Sequence, residues 1–469
     1  MKKILLLITI TTLVSTGKAQ TIQVKLANAV KTFEADGQMQ HGIISLYVID
    51  AKTGKPVYDH NAQIGLAAAS TQKLFTSAAS FDLLGSTYRY KTIVGYNGKI
   101  EDGVLTGNLQ INGYGDPTFG SWRWNDTKED VVLKKIAGAL EKLAIKRISG
   151  NILLNDSAFS LQPLPGGWIW DDIGNYYGAG SWALNWHENQ YDLYLKPGKK
   201  EGDLTSIVKT DPPFQAAELV NQIKTGGKGS GDNGYIYLPP YSLNGFTDGS
   251  IPQGSESFAI SGAVPNGPLF FLAELQEFLQ QQKIAVTGNY RTYVQNASKE
   301  KWPAMQQELI TLLSPPMDSI NYWFLRKSIN LYGEVLIKTM AREKNGVGTT
   351  EDGVEMVRNF WSERGIDKGA IHMIDGSGLS PQNRVTTAAE VKVLEYAKTR
   401  PWYPAFYNAL PEYNGMKMKS GSIGGARAFA GYHTAKDGKQ YIFSIIVNNY
   451  DGSPVEVVKK MYTLLDVLK

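Results

Sequence analysis

Ser70-Thr71-Gln72-Lys73 places a hydroxyl and an amine three positions apart, on one face of a helix. Such a pair supports nucleophilic catalysis if the lysine is neutral and takes the serine proton. A lysine titrates near about 10.4 in water, and burial beside other cations lowers it toward working pH, at roughly 1.4 kcal/mol per unit. At a helix start, the dipole and unpaired N–H groups favour negative charge on the serine oxygen and on the oxyanion that follows attack. Other hydrolase patterns are missing. There is no HExxH and no GxSxG, and the five histidines (His41, His60, His187, His372, His433) stand far apart, as structural or surface residues do. SxxK alone is a weak signal. An ordinary helix N-cap satisfies it, and Ser15–Lys18, Ser206–Lys209 and Ser298–Lys301 repeat its letters, although only the Ser70 copy has an uncharged, helix-forming context after a hairpin.

Two further pieces would complete the chemistry. The first is Ser-x-Asn, a hydroxyl to relay the proton and an amide to hold the substrate. Ser149-Gly150-Asn151, Ser242-Leu243-Asn244, Ser319-Ile320-Asn321 and Ser328-Ile329-Asn330 all fit. The second is Lys-Ser/Thr-Gly on a strand whose backbone can pair with an extended peptide. Lys52-Thr53-Gly54, Lys224-Thr225-Gly226 and Lys419-Ser420-Gly421 all fit.

The elements that must position these residues are partly legible. GIISLYVID at 42–50, a turn at AKTGK and the return PVYDH read as a hairpin. Ala67–Leu84 lacks Gly and Pro and stops at Gly85, so it predicts a helix with Ser70 near its start. From about Ser86 to Val294 the texture changes to short strands, Gly-rich turns and a Trp/Tyr-rich stretch. Helices are predicted there from the spacing of Val132, Ile136, Leu140 and Leu143, and of Leu272, Leu275 and Leu279. The chain closes with a hairpin, Gly425–Thr434 and Gln440–Asn448 around Lys436-Asp437-Gly438, then a helix. Ser453-Pro454-Val455-Glu456 reads as the capping box of that helix, and Val457, Met461, Leu464 and Leu468 as its buried stripe. The pattern predicts one α/β domain made from both ends of the chain, interrupted by a long, mostly β insertion.

In chain order SxxK, SxN and K[ST]G resemble the signature of penicillin-binding proteins and serine β-lactamases. The contexts AAASTQKLFTSAA, SPPMDSINYWFLRKSINLYGEVL, IDGSGLSPQNRVT and MKMKSGSIGGARAFAGY sharpen it, as do INGYGDPTF and SGNILLNDSAF. From about residue 25 to the C-terminus the chain resembles the three-domain D-Ala-D-Ala carboxypeptidase/endopeptidase family, the class C low-molecular-mass penicillin-binding proteins. The long interval from Ser70 to Ser328 matches that family, whereas β-lactamases have a much shorter one.

The resemblance implies roles. Ser70 resembles the nucleophile, Lys73 its base, Ser328 the proton relay and Asn330 the group that orients the substrate amide. Lys419 and Ser420, followed by Gly421, resemble the site for the substrate's terminal carboxylate, and the N–H groups of Ser70 and Ser422 the oxyanion hole. Ser328 is preferred over Ser319 because LYGEVL follows it, as the family's helix does. Ser420 replaces the usual Thr and Ile329 a frequent acidic residue, and neither change removes a reacting group. DGSGLS at 375–380 suits a cleft lining and a tight turn equally. Trp168, Trp170, Tyr176, Tyr177, Trp182 and Trp186 read as packing of the inserted domain, ahead of a sugar platform. Asp116 reads as a structural residue of a Gly-Asp-Pro turn.

The implied fold is α/β (α+β): a β-lactamase/transpeptidase-like domain with an antiparallel sheet flanked by helices, plus two inserted β-rich domains. The expected boundaries are a signal peptide at 1–19, a discontinuous catalytic domain at 20–85 and 300–469, an inserted domain at 86–180 and 256–299, and a domain nested within it at 181–255. The implied activity is serine-type D-alanyl-D-alanine carboxypeptidase/endopeptidase action on peptidoglycan peptide, with β-lactam antibiotics as covalent inhibitors and no metal or organic cofactor. A homodimer is compatible with it. The rivals are a β-lactamase or esterase of the same fold, opposed by the long insertion and the lack of an evident deacylating Glu, and a non-catalytic cell-wall binding protein, opposed by the intact motif residues.

The whole chain sets further bounds. Lys2 and Lys3 precede an apolar run from Ile4 to Val14 and the small-residue stretch Gly17-Lys18-Ala19, the order of a secretory signal peptide. That run is about half the ~20 residues a spanning helix needs, so a periplasmic, non-transmembrane mature chain is expected. With no Cys there is neither disulfide nor lipid-anchoring thiol. Three of the 48 basic residues would leave with the signal, nearly balancing the 44 acidic ones. A near-neutral chain argues against a nucleic-acid partner.

Overall fold

A computed structural model describes residues 21–213, 218–296 and 302–469. The expected signal peptide and the SxxK copies at Ser15 and Ser298 lie outside the described residues.

Both ends of the chain build one sheet. Its strands are β1 (Ile43–Asp50), β2 (Pro56–His60), β3 (Glu412–Tyr413), β4 (Met416–Ile423), β5 (Ala426–Thr434) and β6 (Gln440–Asn448), in the order β3-β4-β5-β6-β1-β2. Every pairing is antiparallel. Alternation along the strands sorts their side chains between two cores, because successive residues point to opposite faces. On β6, Phe443, Ile445 and Val447 pack beneath α1 (Ile22–Glu34) with Leu26, Val30 and Phe33. Ile442 and Ile446 face the other way, into a core shared with α2 (Lys73–Leu83), α3 (Met317–Arg326), α4 (Asn330–Asn345), α5 (Thr350–Ser362) and α6 (Thr387–Lys398). The terminal helix α7 (Pro454–Leu465) returns to the first face with Val457, Met461 and Leu464, and Leu468 follows them. Proline stands in its first turn as expected, but Ser453 makes no capping hydrogen bond.

The insertion carries its own core. Strands Lys91–Glu101, Val104–Gly113, Arg147–Ser149, Ile152–Asn155, Ala285–Val286, Tyr290–Thr292 and Gln307–Leu313 form one sheet. Helices Glu129–Glu141 and Gly267–Gln281 cover it with Val132, Ile136, Leu140, Leu272, Leu275 and Leu279. Leu143 falls beyond the first of these helices and is exposed. Two smaller sheets follow, one from Gln190–Lys196, Ser206–Asp211 and Phe258–Ala263, the other from Glu218–Asn221, Lys224–Gly226, Asn233–Tyr237 and Asn244–Pro252.

Pairing runs across two of the expected boundaries. Gln307–Leu313, past residue 300, pairs with Lys91–Glu101 of the inserted sheet, and Phe258–Ala263, past residue 255, pairs with Gln190–Lys196. In both cases a strand's backbone hydrogen bonds tie it to the preceding sheet, and apolar periodicity alone does not reveal strand partners.

Candidate active site

Ser70 does not lie in the α-helix itself. Ala69–Gln72 form a 3₁₀ turn and Lys73 is the first residue of α2. Ser70 therefore stands one tight turn ahead of the helix, where the N–H groups are free of i→i−4 partners. Ala69 just before it is held at φ +50°, a left-handed conformation that an L-residue adopts only when its surroundings enforce it. Two glycines supply that enclosure. A Cβ on Gly378 would lie 2.0 Å from Ala69 O, and one on Gly421 would lie 2.2 Å from Ala68 O and 3.1 Å from Ser70 N. The third motif is thus pressed directly against the backbone of the first.

Lys73 is fully buried, and its Nζ donates to Ser70 Oγ at 2.8 Å, Asn330 Oδ1 at 2.7 Å and Ser377 O at 2.7 Å. Burial pushes the amine down to about 7, against the opposing pull of Asp375 and Glu334. Three acceptors match the three protons of an ammonium. A neutral amine has only two, so one contact must then reverse, and the Ser70 hydroxyl is the partner able to donate into the nitrogen lone pair.

Ser328 sits at φ +58°, one residue ahead of the Ile329 cap of α4, which presents Asn330 as its first residue. Lys419 Nζ, on β4, donates to Ser328 Oγ at 3.0 Å and to Ser420 O at 2.8 Å. Lys419 is also buried, and burial followed by the charge of Lys73 holds its ammonium well below the usual range. One continuous network therefore runs from Ser70 through Lys73 to Asn330, and a second hydroxyl–amine pair, Ser328 and Lys419, stands beside it. Ser70, Ser328, Asn330, Ser420 and Ser422 line one cleft of about 980 Å³.

The rival copies are engaged elsewhere. Ser319 lies on α3, and its hydroxyl receives Trp124 Nε1 at 2.9 Å. Asp50 Oδ1 holds Thr53 through its N–H at 2.8 Å and its hydroxyl at 2.9 Å, in the first hairpin turn. Thr225 lies on a strand of the nested segment and accepts from Gly198 N at 2.7 Å. Ser206 and Lys209 lie on an exposed strand, and Ser242 closes a local turn onto Asn244 O. Asn151 takes Asn289 N at 3.0 Å. Asp116 accepts from Thr118 N at 2.8 Å and Thr118 Oγ1 at 2.6 Å, a closed turn as expected. None of the histidines lines the cleft; His60, for example, pairs with Glu34 at 2.8 Å.

Several contacts around the site were not legible in the sequence. Asn330 Nδ2 donates to Tyr177 O at 2.8 Å, so the insertion reaches into the centre. That contact uses a backbone carbonyl, which leaves no trace in residue type. Trp168 Nε1 donates to Asp375 Oδ2 at 2.9 Å, behind Lys73. The DGSGLS segment is both a cleft lining, through Gly378 and Leu379, and a turn closed on Asp375, whose Oδ1 receives Gly378 N at 2.7 Å. The aromatic stretch divides: Trp168, Trp182 and Trp186 are buried, Trp170 and Tyr176 are exposed, and Tyr176 and Tyr177 line the cleft. Packing accounts for the tryptophans at 168, 182 and 186 and not for the whole stretch.

A serine next to a buried, neutral-leaning lysine, with an amide lining the same cleft and a second buried lysine behind the cleft-lining Ser328, is suited to acyl transfer. Comparison with known proteins gives the same direction. Residues 26–412 match the D-Ala-D-Ala carboxypeptidase 3 (S13) family. The chain is 25% identical over 430 residues to D-alanyl-D-alanine carboxypeptidase DacB of Haemophilus influenzae, covering 87% of this chain and 86% of that one. It is 26% identical over 455 residues to D-alanyl-D-alanine carboxypeptidase of Actinomadura sp. (strain R39), covering 89% and 80%. Its fold matches the crystal structure of penicillin binding protein 4 (dacB) from Haemophilus influenzae with a TM-score of 0.79 and 22% identity, over 95% of this chain and 99% of that one. The same Haemophilus protein complexed with a novel β-lactam matches at a TM-score of 0.75 and 21% identity. With most of its length matched, the chain belongs to the D-Ala-D-Ala carboxypeptidase 3 (S13) family.

Proposed function

We propose that this chain is a serine-type D-Ala-D-Ala carboxypeptidase/endopeptidase that cleaves peptidoglycan peptides through an acyl-enzyme on Ser70 and is itself acylated there by β-lactams. The observation that carries this is the 2.8 Å contact between Ser70 Oγ and the buried Nζ of Lys73. Ser70 Oγ attacks the carbonyl of the penultimate D-Ala while its proton passes to Lys73. The N–H groups of Ser70 and Ser422 receive the oxyanion, and Asn330 orients the substrate amide. The C–N bond then breaks as the leaving amine takes the proton held by Lys73, relayed through the Ser328 hydroxyl, which accepts from Lys419 Nζ at 3.0 Å, so that Lys73 is neutral again. Water hydrolyses the ester and frees Ser70. The signal-like N-terminus supports a periplasmic site of action.

Treatment with penicillin is expected to add one drug mass to the intact protein, on the peptide containing Ser70, and a peptide ending in D-Ala-D-Ala is expected to release D-Ala. An unlabelled protein, or an adduct on Ser206, would overturn the assignment.

The carboxylate site yields a second prediction. Burial, and then the charge of Lys73, disfavour the Lys419 ammonium, and a carboxylate bound beside it would favour the protonated form. Along β4 a peptide lying antiparallel would bring its C-terminus to Lys419 and Ser420. Ser420→Ala removes a hydrogen bond to a charged group, so kcat/KM for peptides ending in free D-Ala should fall by roughly tenfold or more. Turnover of neutral esters should stay close to the parent's. Thr53→Ala and Thr225→Ala should alter neither substrate's turnover. Equal losses on both substrate types in Ser420→Ala would show that the hydroxyl positions substrates generally.

A further inference from the structure

Behind Lys73, outside the cleft lining, lies a buried carboxyl that the reaction above leaves unused. Glu334 stands one helical turn after Asn330 on α4 and has no solvent exposure. Its Oε2 accepts from Gly376 N at 3.1 Å, while its Oε1 has no well-directed hydrogen-bond partner among the described residues. Ser377 Oγ lies beside that carboxyl, equally buried, without forming a well-directed bond to it. The approach of helix to loop is too close for side chains. A Cβ on Gly333 would meet Gly376 O at 3.0 Å, and one on Gly376 would meet Gly333 O at 2.4 Å. The next loop residue, Ser377, supplies the carbonyl that receives Lys73 Nζ at 2.7 Å. Glu334 therefore holds, through one peptide unit, an acceptor of the catalytic lysine.

The other charged groups of this interior are already engaged. Asp375, on the same loop, accepts from Gln72 Nε2, Gly378 N and Asn383 Nδ2 on one oxygen and from Trp168 Nε1 and Ser380 N on the other. Lys338, one turn further along α4, donates to Gln162 O at 2.7 Å and Ser181 O at 3.0 Å. Lys419 faces Lys73 from β4 and donates to Ser328 and Ser420. A carboxyl with one backbone donor and an open oxygen is the least supported charge in the group. Burial, and then the charge of Asp375, push Glu334 upward, while the Ser377 hydroxyl, the Gly376 N–H and the charge of Lys73 pull it down, and Glu334 in turn raises Lys73.

We propose that Glu334 is a positioning residue for Lys73: it fixes, through Gly376, the carbonyl that receives Lys73 Nζ, and its buried carboxyl sets the charge against which the lysine gains and loses its proton. This rests on the reading of Lys73 as the base. A carboxylate nearby favours the ammonium, so the pair titrates together and the lysine becomes a base at a higher pH than it would beside a neutral group.

The test is the pH profile of acylation by a chromogenic cephalosporin, measured on the full chain. Glu334→Gln keeps an acceptor for Gly376 N and removes the ionisable group. Its acid limb should move to lower pH by about one unit. Glu334→Asp keeps a carboxyl one methylene further back, and its limb should lie between those of Glu334→Gln and the parent. A folded Glu334→Gln whose acid limb coincides with the parent's overturns the proposal. If that variant does not fold, a Glu334→Asp limb identical to the parent's does so instead. Should Lys73→Ala acylate at the parent's rate, the base assignment fails. A crippled Lys73→Ala together with an unmoved Glu334→Gln limb removes the role of Glu334 alone.

Discussion

Lys73→Ala is expected to slow acylation of Ser70 by roughly 10²–10⁴-fold, the range for loss of a positioned general base, while the protein remains folded. The substitution removes the donor to Ser70 Oγ, Asn330 Oδ1 and Ser377 O together. It also removes an amine whose burial is itself unfavourable, so stability should change less than reactivity. The parent's pH dependence follows from the same residue. Burial lowers the Lys73 ammonium from 10.5 to about 7, so the neutral base is present above that pH and is lost as pH falls through it. Acylation by a chromogenic cephalosporin should therefore rise with pH through about 7 and level off above it. Stopped-flow rates across that range check both statements. A variant acylating at close to the parent's rate, or a flat parent profile below neutrality, would show that another group takes the proton.

Gly378→Ala is expected to be the most damaging single-methyl change near the site. Gly378 is held at φ +83°, and its Cβ would stand 2.0 Å from Ala69 O. The left-handed conformation and the forced displacement together should lower unfolding free energy by roughly 2–5 kcal/mol. The atom struck belongs to the turn that presents Ser70, so acylation should slow as well. Gly138→Ala is the counterpart. Gly138 lies within the helix Glu129–Glu141, and beyond the helix's own backbone no atom of the described residues stands within 4 Å of the added carbon, so alanine there should stabilise by up to about 1 kcal/mol. Urea unfolding with unchanged slope reads both effects. A Gly378→Ala protein with the parent's midpoint and acylation rate would mean that the turn at Ala69 gives way without consequence.

Local patterning carried much of the fold. The first hairpin, the helix after Ser70, the closing hairpin and the stripe of the terminal helix all appear where alternation, 3.6-residue spacing and turn residues put them. These signals lie within a few residues of each other, so one stretch of chain contains them whole. Even there, hydrogen-bond geometry was not legible: Ser453 has the letters of a cap without the bond, and Ser70 proved to sit in a 3₁₀ turn ahead of α2.

The sequence by itself determined which residue types were available for chemistry: a serine and a lysine three apart, several Ser-x-Asn and Lys-Ser/Thr-Gly copies, and no histidine in a suitable place. Their order resembled a family, and that resemblance chose among the copies. Only the tertiary structure brought Lys419 to Ser328 Oγ and laid Gly421 against the Ser70 backbone. It alone attached the insertion to the centre, through Tyr177 O on Asn330 and Trp168 on Asp375. It also decided that Lys73 stands near neutrality, because the desolvation that lowers it comes from elements far apart in the chain. A pattern of letters fixes reach along one helix or strand. Burial, and contact between backbones too close for a Cβ, exist only once distant segments have packed.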